Sequence, residues 1–126
     1  MIDHAKLWSE KKYIDTWSIP HLLAGVVLVG IFSWLGFSFW PNLILSFLLI
    51  IGWEFFELYI LGIHEHYSNK VMDVILGIIG FFIMYAFILK YNIYHMINEL
   101  LFITIVFLFL NAWGFLAYKK RTGRIS

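Results

Sequence analysis

The chain has no cysteine among its 126 residues, which excludes disulfides, thiolate metal sites and cysteine nucleophiles and leaves its redox compartment unmarked. Charge is scarce as well. Charged residues make up 13% of the composition, about half the share usual in a soluble domain. The formal net charge of +1 supplies no basic face for phosphates, so no nucleic-acid partner is expected. Short segments that alternate apolar and polar residues, the mark of a membrane β-barrel, are missing too. What fills the chain instead is 62% hydrophobic and 21% aromatic residues. A soluble fold this small could not keep such a surface wet, and the composition predicts an integral membrane protein.

A helix crossing about 30 Å of hydrocarbon needs about 20 residues at a rise of about 1.5 Å each. Four stretches meet that length, at about 19–39, 41–63, 71–89 and 97–118. The first has no charge, the second only Glu54 and Glu57, the third only Asp73, and the heart of the fourth only the neutral Thr104 and Asn111. The prediction is an all-α membrane protein, a four-transmembrane-helix bundle that uses residues 1–126 as one domain. Pro41 suits the first position of its helix, where a missing N–H costs nothing. Gly36 through Pro41 reads as the first connection, and "HEHYSNK" and "KYNIYHMINE" as the second and third. Residues 1–16 hold Asp3, Glu10 and Asp15 ahead of any long apolar run, unlike a cleavable signal, so the first span is expected to be retained. Trp8, Tyr13 and Trp17, with Leu7 and Ile14, suggest that this opening segment lies along the membrane interface.

Four spans with tight links place both termini and the loop up to Lys70 on one side. Eight of the nine cations lie there (Lys6, Lys11, Lys12, Lys70, Lys119, Lys120, Arg121 and Arg124), and Lys90 lies opposite. Cytoplasmic loops collect Lys and Arg, so the expected localisation is a multi-pass cell-membrane protein with N- and C-termini cytoplasmic. "KKRTGR" reads as this topology signal, with a lipid-headgroup receptor site as its alternative.

The ionisable residues inside the spans share one depth. Counted from Pro41, Glu54 lies about 20 Å and Glu57 about 24 Å along its helix, one turn apart on one face. His21 opens the first helix from the same side, and Asp73 opens the third. Each heads a small-residue stripe, with Gly25 four residues after His21 and Gly77 and Gly80 four and seven after Asp73. Small residues let membrane helices approach closely, so these stripes are expected to face the bundle interior. The candidate site is therefore His21, Glu54, Glu57 and Asp73, with Asn111 as a neighbour. Charged groups within a bilayer are costly, and two glutamates one turn apart repel unless they share a proton or a cation. Structural pairing that locks the helices together is the alternative.

In the loop, His64 and His66 stand two apart and could hold a divalent metal, with Glu54 and Glu57 as oxygen donors; solvated loop histidines are the plainer reading. No other cofactor is indicated. Haem fits poorly, because His4 and His95 lie at the ends rather than inside the bundle. The aromatic residues, among them Phe55, Phe56, Phe81 and Phe82, read as belts and fillers before a pigment site.

The order of these residues resembles the VanZ-like group of small bacterial and archaeal membrane proteins, from about His21 to Gly80. The matching positions are His21, "WEFFE" with Glu54 and Glu57, and "DVILGIIG" with Asp73, Gly77 and Gly80. The chain departs from that pattern at Glu57, where Gln is usual, and at Gly77, where Asn is usual. A basic residue is also usual shortly before the Asp, where "HYSNK" has His66 or Lys70. The resemblance implies a compact helical membrane protein, sometimes linked to the envelope or to glycopeptide resistance, with these residues as its site and no settled chemistry.

Two functions follow from these observations. In one, a polar pocket on the cytoplasmic side engages or modifies an envelope lipid headgroup, with Glu54, Glu57 and His21 in acid–base roles. In the other, the chain is a non-catalytic accessory subunit of a larger membrane complex. Partners are accordingly membrane lipids, or other membrane subunits. Transport ranks behind both, since no broken span or inverted repeat is evident.

Overall fold

A computed structural model describes Trp8, residues 15–60 and residues 67–122. These form helices α1 (Ser18–Trp34), α2 (Phe39–Tyr59), α3 (Tyr67–Tyr91) and α4 (Ile97–Thr122), with a 3₁₀ turn at Ile93–His95 before α4. Three helices, α2, α3 and α4, are long and apolar enough to cross a membrane. Large apolar side chains stand exposed along all three, including Leu48 and Phe55 on α2, Ile79 and Phe82 on α3, and Phe102, Ile105 and Phe109 on α4. So much contiguous apolar surface is stable only against hydrocarbon or another apolar face. The fold defines a helical membrane protein.

The first apolar helix is shorter than its sequence suggests. At 17 residues α1 is about 25 Å long, and it stops at Trp34 although apolar residues continue to Phe39. Gly36 ends it by adopting a φ of +96°, the left-handed conformation that glycine alone enters without a Cβ clash. Its N–H donates to the Ser33 carbonyl at 3.0 Å, and the N–H of Phe37 donates to the Phe32 carbonyl at 3.0 Å. This is the paired bonding of a Schellman cap. The apolar contact that accompanies such caps is present as well, with the Phe32 and Phe37 rings stacked at 5.5 Å. The chain then turns through extended Ser38 into α2. The helix begins two residues before Pro41, which still falls within the first turn, where N–H groups lack partners. At the other connection α3 starts at Tyr67, so Asn69 and Lys70 are helical rather than part of the loop.

Helix α1 is the hub, lying most extensively against α3 and less so against α4 and α2. The glycine stripes explain the first pairing. A Cβ built on Gly25 would collide with the carbonyl oxygen of Gly77, and one built on Gly80 would collide with that of Leu22. The backbones of α1 and α3 are therefore in direct contact, which only glycine permits. Farther along, Val29, Phe81, Met84, Ile93 and Leu100 form the apolar core. There α1 and α2 are tied by Asn42, which is fully buried. Its Nδ2 donates to the Val29 carbonyl at 3.2 Å and to Ser33 Oγ at 2.9 Å, and its Oδ1 accepts from Ser46 Oγ at 3.2 Å.

Trp8, from the opening segment, packs into the bundle. It is fully buried, wedged edge-on between Trp17 at 4.9 Å and Trp113 at 5.5 Å. Its carbonyl accepts from Trp17 Nε1 at 2.9 Å. Gly114 makes the space, since any Cβ there would come within 2.6 Å of the Trp8 ring. A tryptophan offers more apolar area than any other side chain, and burying it on α4 outweighs leaving it at the headgroups. Apart from Asp15 and Thr16, the rest of that opening segment, Leu7, Tyr13 and Ile14 included, lies outside the described residues.

Candidate functional site

His21 lies in the first turn of α1, Glu54 and Glu57 in the last two turns of α2, and Asp73 in the second turn of α3. Because α2 runs opposite to α1 and α3, all four reach the same end of the bundle. The tight glycine seam then fixes how closely they meet: Gly25 and Gly77, one turn beyond His21 and Asp73, bring the two helices into contact.

His21 is the centre of the group. Its Nε2 stands 3.3 Å from Glu54 Oε1, 3.5 Å from Asp73 Oδ2 and 3.8 Å from Glu57 Oε1. On the other edge of the ring, Nδ1 lies 2.7 Å from the Trp17 carbonyl oxygen. A carbonyl can only accept, so Nδ1 carries the proton and Nε2 is turned toward the carboxylates. All four side chains are buried, Asp73 completely. Among the described residues, His21 Nε2, both oxygens of Glu54 and both oxygens of Asp73 lack a hydrogen-bond partner. Buried polar atoms are normally satisfied, and five orphans facing one point require a chemical reason.

The sequence reading therefore names four residues that the fold brings together. It misses two neighbours. Asp15 and Asn69, both buried, are joined by a 2.9 Å bond from Asn69 Nδ2 to Asp15 Oδ2. Asn69 precedes Asp73 by four residues and so shares its helix face, a spacing that carries the available signal once α3 is extended by a turn. Asn111 stays apart from the centre, since its Nδ2 donates to the Phe107 carbonyl one turn back on α4 at 2.8 Å. His64 and His66, the loop pair considered for a metal, lie outside the described residues.

Beside the centre an open groove of about 480 Å³ runs between α2 and α3. Ile51, Phe55, Leu58, Val71, Val74 and Ile75 give it apolar walls, and Glu54, Tyr67 and Lys70 complete the lining, with the Glu54 oxygens and Lys70 Nζ buried beneath its surface. Glu54 thus belongs both to the buried centre and to a groove that opens onto the helix surface.

No family model, curated protein or solved structure matches the chain.

Proposed function

We propose that the chain holds an envelope lipid in the α2–α3 groove and presents its headgroup to the His21, Glu54, Glu57 and Asp73 centre. The observation that carries this reading is the shape and lining of the groove. A volume of about 480 Å³ falls within the range of about 300–1,000 Å³ usual for small-molecule sites. Its apolar walls suit an acyl chain, and Glu54, which contributes to the lining, links the groove to the buried imidazole. With Nδ1 held by a backbone carbonyl, His21 and Glu54 together form a proton donor and acceptor pair suited to acid–base chemistry on the bound headgroup. Eight of the nine cations fall in the segments that four tightly linked spans would leave on one side, which favours a cytoplasmic location for that side and for both termini. The remote resemblance to VanZ-like proteins points to the same residues and supplies no reaction.

The test is purification from native membranes in mild detergent, with co-eluting lipids identified by mass spectrometry. A phosphate-bearing lipid should travel with the wild type and be lost in Val74→Trp, which fills the groove without touching the centre. Identical lipid profiles for the two proteins would contradict the reading. A second reading, an accessory subunit of a membrane complex, is favoured by the exposed face of α2, where Trp40, Ile44, Leu48 and Tyr59 are each more than half exposed. Stoichiometric recovery of another membrane protein in the same purification would favour it.

A further inference from the structure

The geometry points to a divalent transition-metal site formed by His21 Nε2, a carboxylate oxygen of Glu54 and a carboxylate oxygen of Asp73, three ligand atoms that lie within 4.8 Å of one another. Two ligands each about 2.1 Å from an ion at the tetrahedral angle stand about 3.4 Å apart. Nε2 stands 3.3 Å from Glu54 Oε1 and 3.5 Å from Asp73 Oδ2, so both separations from the imidazole match that spacing, and the third, between the two carboxylates, lies within 4.8 Å and would close slightly around an ion.

A direct ion pair would look different. A protonated imidazole draws one carboxylate oxygen to about 2.7–2.9 Å, whereas Nε2 stands off three oxygens at 3.3, 3.5 and 3.8 Å and bonds none of them. Charge leads the same way. One proton on His21 balances one of the three carboxylates, while a dication balances two, and within a bilayer an unbalanced charge is what raises the cost of burial.

A second observation is independent of the acidic cluster. The Nδ1 hydrogen bond to the Trp17 carbonyl, at 2.7 Å, is the outer contact that metal-ligating histidines ordinarily make, and it fixes the tautomer whose Nε2 lone pair is available. Asp73 then supplies a fully buried carboxylate whose two oxygens, among the described residues, bond nothing. One imidazole and two carboxylates suit zinc or manganese better than magnesium, which holds its waters and seldom takes nitrogen. Glu57 Oε1 lies 3.8 Å from Nε2, close enough to supply a further oxygen donor.

This inference stands on the same side chains as the lipid proposal but does not need a lipid. The experiment uses the full chain without a histidine tag, purified in detergent, treated with chelator and titrated with Mn²⁺ or Zn²⁺ alone. One ion per chain should survive gel filtration and raise the thermal midpoint. His21→Gln should weaken binding by more than about 100-fold, beyond the 10–100-fold typical of substitutions at outer partners. It should also abolish the ¹⁴N coupling in the pulsed electron paramagnetic resonance spectrum of the bound Mn²⁺. Glu54→Gln should weaken binding likewise, and a His64→Ala, His66→Ala double variant should bind as the wild type does. Absence of bound metal, a wild-type Mn²⁺ spectrum without nitrogen coupling, or loss of binding in the loop variant would each overturn the assignment. Lipid retention measured on the metal-free protein reports on the groove separately.

Discussion

Replacing Gly25 with alanine adds one methyl group where two helix backbones touch. That methyl would lie 2.7 Å from Phe81 N and 2.8 Å from the Gly77 carbonyl carbon, and nearer still to the Gly77 oxygen, against ordinary contacts of 3.4–4 Å. None of these atoms can rotate away, so α1 and α3 must separate. Overpacking costs about 1–3 kcal/mol even where side chains can yield, and a rigid backbone puts this site at the top of that range. Alanine returns up to about 1 kcal/mol by favouring the helix, leaving a net loss of about 2 kcal/mol. Two internal references calibrate the number. A Cβ on Gly52 meets nothing within 4 Å, so Gly52→Ala should be neutral or slightly stabilising; one on Gly77 meets only the Ile50 side chain at 3.0–3.4 Å, so Gly77→Ala should fall between. Thermal unfolding of the three variants in one detergent measures the order. A Gly25→Ala protein as stable as Gly52→Ala would refute the claim that glycine sets the distance between α1 and α3.

Asn42→Ala removes the tie between α1 and α2 and leaves the buried Val29 carbonyl and Ser33 hydroxyl without their donor. A loss of about 1–2 kcal/mol is expected, since membrane hydrogen bonds contribute modestly but orphaned buried groups cost more; denaturant titration in mixed micelles checks it. Trp8→Ala opens a cavity between Trp17, Trp113 and Gly114. It should cost about 3–5 kcal/mol and shift the remaining tryptophan emission to longer wavelength. An unchanged spectrum would place Trp8 back at the interface.

The helices were legible because each is an apolar run near the length of a bilayer, a property of composition that survives without any alignment. Their ends were not. Gly36 marks the first turn in the sequence, but the apolar run carries on through "WLGF" to Phe39, and the left-handed φ of Gly36 with the two bonds to the Ser33 and Phe32 carbonyls fixes where α1 stops. The convergence of His21, Glu54, Glu57 and Asp73 could be read from spacing, since each of His21 and Asp73 is followed one turn later by the glycine that lets its helix approach. Asp15 and Asn69 were not, because residues 54 apart in sequence announce no pairing and "HEHYSNK" reads as loop. The same loop drew attention to His64 and His66 as metal ligands, and both lie outside the described residues; among the described residues, the buried histidine with a fixed tautomer is His21. Asn42 falls within the second span, and its clamp on α1 depends on a packing partner that the chain order does not disclose.

The central claim is that side chains from three separate helices form one interacting group. A double-mutant cycle between His21→Gln and Asp73→Asn, read as thermal stability in a fixed detergent, measures it most directly. Neighbours that share a site couple by about 0.5–3 kcal/mol, and the 3.5 Å separation of His21 Nε2 from Asp73 Oδ2 places the expected coupling at about 1 kcal/mol or more. Effects that add within about 0.3–0.5 kcal/mol would mean that the two residues do not sense each other, and the common centre would not exist.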